Sequence, residues 1–261
     1  MRRTGCAAGC PAHAPRPPIS VAHYCSILGR VLVTDPTAQP PAESGRQDRP
    51  YFDSFAGPFA QYAAALDRVD HRLTDWLLTQ LPTGGGARAV DLGCGGGRHT
   101  VLLAERYDRV LAVDVADQML RIARASHPRA NIDYQQRSVL DIATDTDGRF
   151  DLVLCVQTLH HVGDPVIVAD IVDPGGWTSP DFHAIRAFSE AWRIHQLGGD
   201  AHEAADVLHL LLQPEWRAMV AADTPLTQEE FHRHYARTFP GVMITDGLSP
   251  MTCGAVWRAP A

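Results

Sequence analysis

The feature that most constrains this chain is Asp91-Leu92-Gly93-Cys94-Gly95-Gly96-Gly97, set between a short apolar run, Arg88–Leu92, and a helical stretch, His99–Tyr107. Glycines at such a point let the backbone turn tightly and approach a ligand with no side chain in the way. A turn of this kind needs a sheet edge, and the following sequence supplies one. Arg109–Val115, Ile132–Arg137 and Phe150–Val156 read as strands, with a helix over Asp117–Ala125. Apolar strands alternating with helices argue for an α/β fold with a mostly parallel, doubly wound sheet covered on both faces. Asp114 closes the second strand. A carboxylate there lies over the crevice and can accept hydrogen bonds from ribose hydroxyls.

The flanks differ in texture. Residues 1–49 are rich in proline and arginine and poor in acids, so a disordered extension is expected. Order is expected from residue 50, and Leu66, Val69, Leu73, Trp76, Leu77 and Leu81 recur at the spacing of one amphipathic helix. Ser179-Pro180-Asp181 opens a helix with a capping side chain and a first-turn proline, and Gly198-Gly199 stops it. Further helices are expected over His202–Leu212, from Glu215, and from the capping box Thr227-Gln228-Glu229-Glu230 through Phe239. The domain over 50–261 thus carries a helical insertion at 177–222, expected to be a substrate lid. It closes with an antiparallel strand pair, Val242–Leu248 and Met251–Arg258.

Composition narrows the function. A formal charge of −7 disfavours a nucleic acid partner. The cysteines show no repeated metal-ligand spacing; Cys6 and Cys10 with His13 are half of a zinc site without a second ligand pair, so no metal is expected. Apolar runs fall short of the roughly 18 residues that span a bilayer, and His23 and Arg30 interrupt the nearest signal-like stretch, Ile19–Val33. A cytoplasmic protein without membrane contact is expected. The aromatic residues of the entry segment (Tyr51 to Tyr62) and of the insertion suit a small-molecule partner.

Two cofactor classes compete for the glycine turn. The dinucleotide fingerprint of nicotinamide-dependent oxidoreductases needs a glycine where Arg98 stands, and Asp91 would repel a pyrophosphate. Asp91 suits instead a ligand bearing an ammonium and a sulfonium. Taken in order, the Asp91–Gly97 loop, the acidic turn Val113-Asp114-Val115-Ala116 with Met119, and Phe150-Asp151-Leu152-Val153 leading to Gln157-Thr158-Leu159-His160-His161 resemble the class I S-adenosylmethionine-dependent methyltransferases. That resemblance implies a Rossmann-like core, S-adenosylmethionine as cofactor and methyl transfer to a small molecule. It places Gly93 and Gly95 along the methionine part of the cofactor, with Asp91 near its amino group. Asp114 would hold the ribose, Val115 and Met119 would pack on adenine, and Ser138 and Val139 would stand at the adenine amine. Gln157 would lie on the far side. Ser138 departs from the acid often found there, and Asp141 is a nearby substitute. The resemblance gives His160 and His161 no base role, and no catalytic residue is assigned. A module that binds the cofactor without transferring its methyl group is the alternative from another class.

One segment departs from that family. Only nine residues, Gln157 to Pro165, separate Phe150–Val156 from the apolar run Val166–Val172. A parallel crossover usually takes a dozen or more. Val166–Val172 is still expected to be a strand beside Phe150–Val156, with the crossover helix missing. One sheet face would then be thinly covered and the chain less stable than its relatives.

Overall fold

The computed structural model describes residues 51–158 and 166–258. The expected extension over 1–49, the Cys6/Cys10 pair, His160 and His161 lie outside them.

Among the described residues, one sheet of seven strands organises the fold: β1 (Gly86–Leu92), β2 (Tyr107–Asp114), β3 (Ile132–Gln136), β4 (Leu152–Val156), β5 (Val166–Ile171), β6 (Met243–Ser249) and β7 (Thr252–Trp257), in the order β3-β2-β1-β4-β5-β7-β6. The first five strands run parallel, as their apolar character predicts, while β7 is antiparallel to β5 and β6 to β7. The fold is the α/β, Rossmann-like, doubly wound arrangement with a C-terminal antiparallel pair.

The entry segment corrects one expectation. In place of a single helix there are two, α1 (Ala56–Val69) and α2 (Arg72–Gln80), because Asp70 is extended. Its carboxylate accepts from the backbone N–H of Arg72 at 3.2 Å and also binds the guanidiniums of Arg72 and Arg193. A remote arginine therefore helps fix a break that apolar spacing alone carries straight through. The helix after the glycine turn, α3 (Thr100–Ala104), is shorter than expected, and β2 starts at Tyr107. α4 (Asp117–Ser126) and a short turn of helix, α5 (Thr144–Asp147), complete this half.

The insertion forms α6 (Pro180–Gln196), α7 (Ala201–Leu212) and α8 (Pro214–Ala222), followed by α9 (Gln228–Thr238). Thr227 and Glu230 make the expected capping box on α9, whereas the Ser179 side chain does not cap α6. Asp200 and Glu203 make a box on α7 that the sequence reading missed.

β5 pairs parallel with β4, from Val153 beside Val166 to Val156 beside Ala169. The expected thin cover is not found. Val153, Cys155, Val166 and Val168 are all buried, packed in one cluster with Phe231, Tyr235 and Phe239 from the α9 region. Those aromatics replace a crossover helix, each fully buried ring contributing on the order of 1.5–3 kcal/mol. The other face is covered by Leu77 of α2 and Leu103 of α3. A separate cluster joins α1 to α6, α7 and α8.

Candidate cofactor cleft

Strand ends β1, β2, β4 and β5 meet at the carboxyl edge of the sheet, where open α/β folds bind ligands. Gly93, Gly95 and Gly97 all adopt positive φ, at 70°, 51° and 81°. At Gly93 the requirement is also steric, since a Cβ there would lie 1.9 Å from Thr158 Cγ2. Thr158 Oγ1 donates to Gly93 O at 3.2 Å, so the end of β4 is pinned to the turn. Sequence reasoning missed Thr158's role; a glycine facing a β-branched residue after the partner strand is the only signal it leaves.

Four backbone donors of the turn are already used. Gly93 N–H and Cys94 N–H both donate to Val113 O, at 2.8 and 2.9 Å, and Gly97 N–H donates to Cys94 O at 2.9 Å. Gly95 N–H donates to Asp114 Oδ2 at 2.8 Å, while Ala116 N–H donates to Asp114 Oδ1 at 2.9 Å. The backbone of Val115 also bonds to the carboxylate of Asp114. Burial pushes its carboxyl above the usual range, against the pull of those backbone bonds.

Asp91 sits lower, only 2% exposed, with Thr100 Oγ1 donating to Oδ2 at 2.6 Å. Burial pushes its carboxyl up to about 7, with the charge of Asp114 adding to the rise. On β5, Asp170 is pushed up to about 6, again by burial first. It lies one residue past Ala169, whose carbonyl accepts from Gln157 N–H at 2.7 Å. Gln157 is exposed and, among the described residues, alone in holding positive φ (56°) without being glycine. Such a conformation costs on the order of 1–3 kcal/mol and is typically held where a site needs it.

The remaining expected residues fall on the same edge with varied exposure. Val115 is half-buried. Met119 is buried at 2% exposure against Ala56 and Ala116, and its Cε would lie 3.4 Å from a Cβ built at Gly95. Ser138 follows β3 and is brought near Asp114 by the bond from Arg137 N–H to Asp114 O, 3.0 Å. Val139 packs instead toward the sheet core, and Asp141 is exposed.

Two further residues were missed. Asp53, before α1, accepts from Gln118 N–H at 2.9 Å and so caps α4 from 65 positions away. Arg98 forms an ion pair with Asp67 of α1, which binds the entry helix to the glycine turn. Neither partner is visible from local sequence. The aromatics expected as lid material are mainly core: Phe55 and Trp216 are buried, and Phe59 stacks on Trp216 at 5.7 Å. Among the described residues no cluster of His, Cys, Asp and Glu could hold a metal, and no helix is long and apolar enough to cross a membrane.

Comparison with known proteins agrees with this geometry. Residues 89–176 match the methyltransferase domain family. The ubiquinone biosynthesis O-methyltransferase of Xanthomonas campestris pv. campestris (strain B100) is 37% identical over 97 residues, 35% of this chain and 41% of that protein. Its counterpart in Xanthomonas euvesicatoria pv. vesicatoria (strain 85-10) matches to the same extent. The chain thus spans about two fifths, 41%, of the curated relatives it matches. A chain from the complex between the Haloferax volcanii Trm112 methyltransferase activator and a candidate methyltransferase superposes with a TM-score of 0.50 at 15% identity, covering 80% of this chain and 98% of that one. Over residues 89–176 the chain is thus similar to the methyltransferase domain family.

Proposed function

We propose that the chain binds S-adenosylmethionine at this edge and transfers its methyl group to a hydroxyl of a small molecule. The observation that carries the reading is the state of the glycine turn. Its amides at Gly93, Cys94, Gly95 and Gly97 donate to protein acceptors, so they form no phosphate cradle, and Asp91 and Asp114 close the site with buried carboxylates. A cationic ligand fits that field and a pyrophosphate does not. The nicotinamide reading loses on this ground.

In the proposed arrangement the Asp114 carboxylate accepts from ribose hydroxyls. Gly93 and Gly95 let the methionine part approach, and Asp91 offsets its ammonium. Val115 and Met119 flank adenine with Ser138, and Gln157 lies opposite. The cofactor supplies a methyl group on a sulfonium, and displacement is in line, so orientation and water exclusion can supply much of the rate. A hydroxyl acceptor must also lose its proton. Asp170, on the same edge and titrating near 6, is suited to take it. The hydroxyl acceptor is supported by the O-methyltransferase relatives, although they are matched over only 41% of their length. Among the described residues, the buried Cys94, Cys155 and Cys253 make no disulfide, which suits the cytoplasm proposed as its setting.

Calorimetric titration of the full chain with S-adenosylhomocysteine, paired with radiolabelled methyl transfer to a metabolite extract, tests the proposal. Binding with label incorporated into a small molecule is expected. Binding without transfer to any acceptor would favour the non-catalytic module, and absence of binding would overturn the cofactor assignment.

A further inference from the structure

Helix α6 buries one side and leaves an apolar stripe on the other. His183, Ala187, Ala191 and Ile194 turn inward and are buried. The outer side does not turn polar: Ile185, Phe188 and Trp192 are 64%, 60% and 63% exposed. Six large apolar side chains are exposed among the described residues. Three of them stand on this helix and Leu197 follows at its end, while Leu78 and Met243 lie apart on other elements. Exposed apolar residues scattered singly need no explanation, but a contiguous stripe on an outer helix marks a contact surface.

The spacing sets what fits there. Asp181, Ile185, Phe188, Trp192 and His195 follow one another at intervals of four, three, four and three residues. That repeat keeps a seam aligned along a helix that faces another helix. Asp181 and His195, both exposed, close the two ends, and the His195 ring rests against Trp192 at 5.8 Å. From either end the order is polar, apolar, Phe188, apolar, polar. A second α6 laid antiparallel across the first puts Phe188 on Phe188 and Ile185 on Trp192. It also sets each Asp181 carboxylate against a His195 imidazole, which can donate to it. Laid parallel, each Asp181 would instead face its like. A contact about a two-fold axis must be self-complementary in this way, a demand that a foreign partner does not make.

We propose that α6 is the contact face of a homodimer, packed antiparallel on the α6 of a second copy. The available surface fits that occupant. Three side chains of this size, each about six-tenths exposed, present on the order of 400 Å² of apolar area, so pairing hides on the order of 800 Å² in all. The flanks of a helix about 25 Å long bring the total toward the ~1,200 Å² at which specific interfaces begin. A reversible dimer with a dissociation constant on the order of 1–100 µM matches that size. The seam shares no residue with the glycine turn, so the dimer stands apart from the cofactor assignment.

Sedimentation velocity of the full chain, from about 1 to about 200 µM, should show a reversible monomer–dimer equilibrium. Phe188→Ser removes the contact at the axis from both copies. It should weaken the dimer at least about tenfold and leave the melting temperature of the dilute monomer unchanged, since the ring is exposed there. Asp181→Lys should also weaken the dimer, and adding His195→Asp, which reverses both ends of the seam, should restore it. A dimer that survives Phe188→Ser, or a double variant no stronger than the single one, overturns the proposal. A chain that stays monomeric throughout overturns it too. Fluorine NMR with 5-fluorotryptophan, Trp192 being assigned from Trp192→Phe, then names the occupant. A Trp192 signal shielded from solvent in the monomer gives the seam to another segment of the same chain, and a solvent-exposed one gives it to no part of this chain.

Discussion

Strands β1 and β2 end in turns closed by their own backbone and carboxylates, whereas β5 and β7 depend on aromatic rings from a helix far along the chain. In the first region Gly93, Cys94 and Gly95 bond to Val113 and Asp114 across one strand pair. In the second, Phe231, Tyr235 and Phe239 cover Cys155, Val168, Cys253 and Ala255. Local hydrogen bonding sets the geometry where a ligand is to be placed, and long-range burial supplies stability where a crossover helix is missing. Substitutions on the two sides should therefore separate binding from stability.

The largest expected effect is on the α9 side. Phe231→Ala empties a site that is 1% exposed, and such truncations cost on the order of 3–5 kcal/mol. Chemical denaturation should show that loss, while S-adenosylhomocysteine affinity of the folded fraction stays unchanged. Because α9 covers β5, native-state hydrogen exchange should protect Ile167–Ile171 as well as Leu152–Cys155 in the wild type. Weak protection of β5 alone would show that α9 does not do the work of a crossover helix.

On the cleft side, Asp91 should make stability depend on pH. Its carboxyl titrates near 7 in the folded chain against an ordinary value of 3.8. The folded state holds the proton more tightly, so this contribution is complete below about pH 4 and is lost as pH rises through about 7. The full span is on the order of 4 kcal/mol. Asp91→Asn should flatten the stability profile over that window and raise the melting temperature at pH 8, yet weaken S-adenosylhomocysteine. A variant that is both more stable and equally tight would remove Asp91 from the ligand site.

A third change sharpens the same side. Asp114→Ala should weaken S-adenosylhomocysteine by on the order of 2–4 kcal/mol, through lost charge-assisted bonds to ribose. It also releases Gly95 and Ala116, whose amides it accepts. Asp114→Asn keeps one oxygen for that anchoring and should retain more order in the turn, read as amide exchange at Gly95. An unchanged dissociation constant in both variants would sink the ribose assignment.

These regions were also unequally legible in the sequence. The glycine turn, Asp114 and the parallel strands could be read directly, because glycine content and apolar runs encode backbone shape locally. The capping box at Thr227 could be read for the same reason. What could not be read were contacts whose partners are remote: Asp53 capping α4, Arg98 pairing with Asp67, and Arg193 reaching Asp70 at the break between α1 and α2. The expected thin cover of β5 failed on this account too. Its nine-residue connection is visible in the chain, but the rings of α9 that compensate are placed by tertiary packing alone.

The smallest expected effect lies where the entry helix meets the insertion. Tyr62 donates from its hydroxyl to Glu190 Oε1 at 3.0 Å, and Glu190 is also held by Arg193, which reaches back to Asp70. That chain of contacts ties α1 and the start of α2 to α6. Removing the hydroxyl in Tyr62→Phe leaves the ring buried and Glu190 still paired with Arg193, so no charge is stranded. The loss should be about 1 kcal/mol, the net worth of one such bond. Because the network joins two helices outside the cleft, S-adenosylhomocysteine affinity should not change. Calorimetry with the variant checks both numbers. A drop in affinity accompanying so small a loss of stability would mean that docking of α6 on α1 sets the cleft, and that the division between a binding side and a stability side fails at this seam.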